Sequence, residues 1–481
     1  MRRITTAIAL LLLTASPLPG QIHSVAASPT RPAPPKAPKG PKLTELTVHP
    51  APAPAAALDY RLLPELLDQT PGDAAPLYFL AQQTMPERDR WDEKLRKWQD
   101  VPLDKLPADE AHRMLSEYRT PLRQIELAGR RETCDWGLPI RSEGISLVIP
   151  PMSAYRTLAR VLLVKARLEI AAGNYDQAVQ TLQTGYAMGR HVAEGRTLIH
   201  ALVAVAISAL LNEGVEDLME AKGGPNLYWA LAEMPRPTIS LRKALRSEGS
   251  LAFFQSPTLR KAHKGKLTPA EIRRLPEEFG KAMMWYEVAT GGREERNRAI
   301  FAAVALTVYP QAKKHLATKG YTPEQIKAMP VAQVVSMYSL GRYMYWRGEL
   351  FKWFSLPYWQ AHEGIRRTNA AFAKVSKSSP AEGFPFTMLL PSLSRSYFMS
   401  ARLDRRIAAL QTIEAVRMYA AKEGKLPAKL GDIIDAPAPI DPVTGKQFQY
   451  EVKGRTFTLT CPAPPGMTPD NGAVYRVTLA K

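Results

Sequence analysis

Residues 154–191 are the part of the sequence that most restricts the fold. The letters AYRTLARVLLVKARLEIAAGNYDQAVQTLQTGYAMGRH form two stretches in which apolar residues recur every three to four positions. That period is typical of amphipathic helices. Gly173 and Asn174 lie between the stretches, and a glycine at this point can end a helix in the left-handed conformation. The sequence therefore predicts two antiparallel helices joined by a tight turn.

The predicted hairpin resembles a single tetratricopeptide repeat. The residues that carry the resemblance are Ala166, Gly173, Tyr175 and Ala178. The match is partial, because Leu162 stands where the repeat has a large aromatic residue and Arg190 replaces its terminal proline. No second copy follows at the usual spacing, so we expect one hairpin in this style and not an array. The apolar stretch 195–211 is expected to pack on it as a buried helix.

We expect residues 58–400 to form an α-helical domain. Two capping boxes mark helix starts, one with Thr268 and Glu271 and the other with Thr322 and Gln325. Nine aromatic residues between 338 and 359 are interleaved with arginine and lysine. An aromatic, basic groove for sugar or nucleobase rings is one interpretation, but helical spacing favours a packed core. Neither 198–211 nor 299–308 is long enough to cross a membrane.

Residues 401–481 are predicted to form a separate, smaller α+β module. A helix with one apolar face ends at Gly424. Two strands, 447–452 and 455–461, then alternate apolar and polar residues around a tight turn, and a third strand covers 473–479. We expect this helix to lie on a three-stranded antiparallel sheet. The predicted fold class is therefore mainly α, with a small α+β module at the end.

The N-terminus has the pattern of a signal peptide over residues 1–27. Arg2 and Arg3 precede a short apolar run, 8–13, that is too short to span a bilayer. An uncleaved anchor is the alternative. Residues 28–57 are rich in proline, alanine and lysine, which predicts a semi-rigid linker. We therefore expect export to the periplasm or the cell exterior, with association with the cell envelope as one option.

The chain has 64 lysine and arginine residues against 45 acidic residues, a formal net charge of +19. A basic surface can bind an anionic polymer of the envelope, although a solvated basic surface is the simpler interpretation. No motif for sequence-specific nucleic-acid binding is present. A protein partner is the other expectation.

Catalytic and cofactor motifs are missing from the sequence. It contains no HExxH, GxSxG, Walker loop, Rossmann glycine pattern or CxxC, so we assign no catalytic residue, cofactor or metal ligand. The motif TCDWGLPI, 133–140, is the most distinctive short element. We interpret Asp135 as a turn cap, Trp136 as a core anchor and Gly137 as a positive-φ position.

Cys134 and Cys461 are the two cysteines. In an exported protein such a pair suggests a disulfide, and two buried free thiols are the alternative. Calcium binding at the turns of Asp441 or Asp470 is only weakly indicated, because neither turn has dense carboxylate spacing.

Two resemblances concern larger parts of the chain. After the linker, the chain resembles a family of uncharacterised exported bacterial proteins with a CDWG-like element, here 134–137, and an ending like Y…G.LP…DP.TGK.F.Y, here 419–450. Residues 401–481 also resemble the globular end of type II secretion major pseudopilins. The pseudopilin methylation motif and long N-terminal hydrophobic helix are missing, so the resemblance implies the small fold and not pilus assembly.

These observations favour an exported, non-enzymatic scaffold or binding protein of the cell envelope. Stacked helices commonly bind peptides or partner proteins on a concave surface. The alternative is a cell-envelope hydrolase that acts on polysaccharide or peptidoglycan. Such an enzyme needs two facing carboxylates about 5–10 Å apart in a cleft.

Overall fold

A computed structural model describes residues 40–480, except 88, 145–146, 291–293, 380–381, 383–386 and 388–389. The predicted signal peptide and the first part of the linker lie outside the described residues. The chain is mainly helical with a small mixed sheet near its C-terminus, which confirms the predicted fold class.

The strands in chain order are β1 (Lys42–Val48), β2 (Thr70–Asp73), β3 (Arg131–Thr133), β4 (Gln449–Lys453), β5 (Thr456–Cys461) and β6 (Ala473–Leu479). The helices of the first half are α1 (Ala75–Gln83), α2 (Asp89–Gln99), α3 (Ala108–Glu117), α4 (Arg119–Gly129), α5 (Ile140–Glu143), α6 (Ser153–Ala171), α7 (Tyr175–Ala193) and α8 (Leu198–Glu220). The later helices are α9 (Tyr228–Ala232), α10 (Arg242–Glu248), α11 (Leu251–Gln255), α12 (Pro257–Ala262), α13 (Pro269–Thr290), α14 (Glu294–Thr318), α15 (Pro323–Ala328), α16 (Val331–Phe351), α17 (Tyr358–Ser378) and α18 (Leu390–Glu423).

The predicted hairpin is formed by α6 and α7. Gly173 has a φ of +77°, as its role at the end of α6 requires, and Ala166 and Ala178 are fully buried. Helix α8 packs on both α6 and α7. A Cβ atom on Gly185 would lie 2.6 Å from Leu211, so glycine at this position lets α7 and α8 approach closely.

Helix α8 is long and apolar enough to cross a membrane by its composition, with a mean hydropathy of 1.8 over its most apolar window. In the structure, 72% of that window is buried inside the protein. Its neighbours include α6, α7, α10, α18 and β1. The packing agrees with the expectation of a buried core helix.

The helix starts of the middle region also follow the sequence pattern. Thr322 and Gln325 form the reciprocal hydrogen bonds of a capping box, and Thr268 and Glu271 do the same. Most of the aromatic residues predicted as core are buried or half-buried. Tyr345 and Trp359 are exposed, at 51% and 41%.

The C-terminal sheet differs from the prediction in having a fourth strand. Its strand order is β1-β6-β5-β4, and β1 pairs with β6 in parallel, with Leu46 opposite Val477. The predicted antiparallel hairpin of β4 and β5 is present, and Gly454 in its turn has a φ of +62°. Residues 42–48, which the sequence analysis placed in the linker, are therefore part of the folded protein.

Helix α18 runs through Ala401, where the sequence analysis placed the boundary of the C-terminal module. Three arginines of this helix bind different parts of the molecule. Arg405 makes a buried, bidentate ion pair with Asp441 at 2.8 and 2.9 Å. Arg406 pairs with Glu216 of α8 in the same way. Fully buried Arg417 binds the carbonyl of His49, which follows β1. The helix thus connects the sheet, the hairpin region and the N-terminal strand.

Candidate binding site

The candidate site is a cleft of about 350 Å³ beside the helical hairpin. Helices α4 and α7 supply most of its walls, α6 contributes Lys165, and the segment before β2 contributes Pro64. Helix α4 packs against α7 at Gly129, where a Cβ would make an ordinary van der Waals contact with Thr184 at 3.6 Å. The cleft is therefore a direct result of how the hairpin packs against α4.

Cations and carboxamides give the cleft its polar character. Arg123 and Arg130 project from α4 and are exposed, and neither has a carboxylate partner among the described residues. Gln177 and Gln180 line the opposite wall on α7. Guanidinium groups that are not engaged in ion pairs are available to bind carboxylates, which they can hold in a bidentate manner.

A hydrogen-bonded network organises the floor of the cleft. The Nζ atom of Lys165 donates to Glu169 and to Thr181 at 2.7 Å each, and the Thr181 hydroxyl donates to the second oxygen of Glu169 at 2.7 Å. This network joins α6 to α7. It holds Lys165 in one position instead of leaving it to move in solvent.

Exposed apolar side chains lie in the wall of the cleft and in the turn that follows its Pro64. Leu127 of α4 is 46% exposed. Leu66 and Leu67, in the short turn that follows Pro64, are 74% and 89% exposed. The turn is held against α4 because the Thr70 N–H donates to the Arg130 carbonyl at 2.7 Å. Exposed leucines beside polar groups are common features of surfaces that bind partners.

The carboxylates needed for hydrolysis do not line this cleft. Among its described lining residues, Glu126 is the one acidic side chain, and no histidine or cysteine is present. A pair of facing carboxylates is therefore not formed by these walls. The cleft offers groups that bind, and it lacks the arrangement that a glycosidase-like mechanism requires.

The CDWG element lies elsewhere and has a structural role. Trp136 is buried, stacks on Tyr78 at a centroid distance of 5.8 Å, and donates its indole N–H to the His191 carbonyl at 2.8 Å. Asp135 accepts from the N–H of Gly137 at 3.1 Å, and Gly137 has a φ of +59°. The predicted turn cap, core anchor and positive-φ glycine are all confirmed.

Two histidines lie beside this tryptophan: the carbonyl of His191 accepts its indole N–H, and the ring centroid of His200 is 5.9 Å from that of Trp136. The Nδ1 atom of His191 lies 2.9 Å from the hydroxyl of Tyr78, and that of His200 lies 2.7 Å from the hydroxyl of Thr197. Burial lowers the pKa of both imidazoles from 6.5 to about 4. Both rings are therefore neutral near pH 7, and the hydrogen bonds serve packing.

Cys134 and Cys461 are free thiols in the structure, and both are buried. Burial raises the pKa of the Cys461 thiol to about 12, and it also raises the pKa of Cys134 well above its ordinary value of 9.0. A protonated thiol is a poor nucleophile. Of the two alternatives that the sequence left open, the structure has the buried thiols and not the bridge.

Asp441, considered as a calcium ligand, is committed to other partners. Besides Arg405, its carboxylate accepts from the N–H of Val443 at 2.8 Å and from the hydroxyl of Thr444 at 3.0 Å. Within the described ranges, no group of three or more histidine, cysteine, aspartate or glutamate side chains could hold a metal ion.

The sequence contains no motif that marks these site residues. Pro64, Arg130, Lys165 and Gln180 come from four separate segments and have no shared motif. The one feature of the sequence in this region is a short apolar run, Leu66 and Leu67, beside a proline. In sequence such a run looks the same as part of a core helix, so it did not indicate an exposed turn.

No protein-family model, curated protein or solved structure matches this chain. The fold and the cleft describe a mainly helical protein with a small mixed sheet and a polar cleft beside a helical hairpin. The resemblances to an exported bacterial family and to pseudopilins stay predictions.

Proposed function

We propose that the protein is an exported, non-enzymatic binding protein of the cell envelope. Its cleft between α4 and α7 holds an acidic, extended segment of a partner protein. The observation that carries this proposal is that Arg123 and Arg130, which have no carboxylate partner among the described residues, line one cleft together with the exposed Leu127. Export rests on the signal-peptide pattern of residues 1–27.

An acidic segment with apolar residues fits both features of the cleft. Its carboxylates would bind Arg123 and Arg130, and its apolar side chains would cover Leu127 and the leucines of the turn. Gln177 and Gln180 each carry a donor and an acceptor that can bond to the backbone of an extended chain. A chain with a net charge of +19 also attracts acidic partners over long range.

The test measures the binding of a defined acidic peptide. A fluorescent decapeptide of alternating glutamate and leucine is titrated with the protein, and its anisotropy is recorded. We expect saturable binding that the double variant Arg123→Glu, Arg130→Glu weakens at least about tenfold, since a hydrogen bond to a charged group contributes about 1.5–3 kcal/mol.

Arg113→Glu is the matched control. Arg113 is exposed on α3 and does not line the cleft, so this variant is expected to bind like the wild type. Equal binding of a peptide with lysine in place of glutamate would contradict the proposal. Binding of polygalacturonate but not of the peptide would replace the protein partner with an anionic polymer. Release of new reducing ends from peptidoglycan would contradict the non-enzymatic assignment and favour the hydrolase.

A further inference from the structure

A second cleft, of about 300 Å³, is lined by both cations and aromatic rings. Its cations are Arg242 and Arg246 of α10 and Lys352 at the end of α16. Its apolar residues are Leu245, Phe351 and Phe354. No described lining residue is acidic. This cleft shares no lining residue with the one between α4 and α7.

The two arginines of α10 repel each other, and an anion in the cleft would relieve that repulsion. Arg242 and Arg246 are four residues apart on α10, so they lie on the same face of the helix. Like charges at this spacing repel each other. Arg246 is exposed and has no ion-pair partner among the described residues, and the one hydrogen bond of the Arg242 guanidinium is a long one, 3.4 Å, to the Ser355 carbonyl.

Further positive charge stands next to the cleft. Arg347 stacks over the ring of Phe351, with its Cζ atom 5.1 Å from the ring centroid. The Nε atom of Arg347 is buried and has no hydrogen-bond partner among the residues that the structure describes. Gly249 permits this packing, because a Cβ there would lie 2.6 Å from the Phe351 ring and 3.0 Å from that Nε atom. Among the cations around the cleft, Lys352 forms an ion pair, with its Nζ atom 2.5 Å from a carboxylate oxygen of Glu349.

We propose that this cleft binds an oxyanion carried on a sugar ring, such as a uronic acid or a sugar phosphate. The two arginines are placed to hold the carboxylate or phosphate, since guanidinium groups bind both in a bidentate manner. Phe351 is half-buried and lines the cleft, so part of its ring is open to the apolar face of a sugar. The volume is at the lower end of that of small-molecule sites, which fits one sugar unit.

The test is calorimetric titration of the folded protein with D-glucuronate, D-glucose 6-phosphate, inorganic phosphate and D-glucose. We expect one or both of the charged sugars to bind, more weakly as salt rises, because exposed charges are screened. D-glucose should not bind measurably, and inorganic phosphate should bind less tightly than D-glucose 6-phosphate. Which charged sugar binds identifies the carboxylate or the phosphate as the recognised group.

Matched variants locate the binding. Arg246→Gln is expected to weaken binding at least tenfold. Lys243→Gln removes one positive charge from the same helix, three residues from Arg246. It should leave the binding unchanged, because Lys243 is outside the cleft and pairs with Glu194 at 2.8 Å. Phe351→Leu should weaken the binding of the sugar phosphate more than the binding of inorganic phosphate. Thermal unfolding of each variant verifies that it is folded.

Three results would overturn the proposal. The first is that neither charged sugar gives a heat of binding at millimolar concentration. The second is that Arg246→Gln and Lys243→Gln lose equal amounts of binding affinity. The third is that inorganic phosphate binds more tightly than both charged sugars. Because the first cleft is made of other residues, these results are independent of the peptide experiment, and either proposal can fail alone.

Discussion

Replacing Glu248 by glutamine should stabilise the protein at high pH and leave its stability unchanged at low pH. Glu248 ends α10, is only 7% exposed, and accepts the N–H of Leu198 at 3.3 Å. Burial raises the pKa of its carboxyl from 4.5 to about 7, and the hydrogen bond from Leu198 only partly offsets this. Glutamine keeps an oxygen that can accept the same hydrogen bond and removes the buried charge.

The magnitude follows from the two pKa values. Each tenfold change in an ionisation constant is worth about 1.4 kcal/mol, so a pKa of about 7 instead of 4.5 corresponds to about 3 kcal/mol. Because the folded state holds the proton more tightly, Glu248 contributes stability below pH 4.5, and this contribution is lost as the pH rises through 7. The variant should therefore be up to about 3 kcal/mol more stable at pH 8 and equal to the wild type below pH 4.5.

The assay compares urea midpoints of the two proteins at pH 4, 6 and 8. Midpoints are compared because a chain of 481 residues need not unfold in a single step. The low pKa of the buried histidines destabilises both proteins equally as the pH falls from 6.5 towards 4, so that effect cancels in the comparison. Glu423→Gln, at an exposed site, should change little at any pH. A Glu248→Gln variant that is less stable than the wild type at pH 8 would refute the reasoning.

Three other outcomes can be measured directly. Arg405→Leu should lower the free energy of unfolding by about 3–5 kcal/mol in urea melts, because it leaves Asp441 buried and unpaired; a loss below 1 kcal/mol would show that the pair is not buried in solution. Gly445→Ala should destabilise more than Gly454→Ala by calorimetry, since both glycines have positive φ but only at Gly445 would a Cβ meet Trp359, at 2.5 Å. Thiol titration with Ellman's reagent should find no reactive cysteine in the folded protein and two after unfolding in urea, and a count of zero in urea would demonstrate a disulfide.

The sequence was most informative where structure depends on neighbours in the chain. Each of three kinds of element is determined by a stretch of fewer than about 40 consecutive residues. They are the hairpin around Gly173, the two capping boxes and the β4–β5 turn, and all are present in the structure. The inward face of β5 was also predicted correctly, because alternation along a strand fixes which side chains point to the core. Phe457 and Leu459 are both fully buried.

Pairings between distant segments were missed. Strand β1 pairs with β6 across more than 400 residues, and it follows a proline-rich stretch whose composition suggested a linker. A signal was available in the alternation that buries Leu46 and Val48, but it covers too few residues to outweigh the composition around it. The two clefts were missed for the same reason, since each takes its residues from several segments that no local pattern connects.

Helix α18 explains why the predicted boundary at Ala401 does not separate two independent units. Charged residues in a helix ordinarily indicate a solvent face, yet Arg405 and Arg417 are at most 4% exposed. Each is buried together with polar partners. Asp441, from outside the helix, compensates the charge of Arg405, and Arg417 binds Glu414 of the same helix and the carbonyl of His49. An unpaired buried charge costs several kcal/mol, so the sheet, the helix and the N-terminal strand stabilise one another. The predicted boundary at residue 401 therefore lies inside a helix that binds both parts of the chain, and not at the edge of a folding unit.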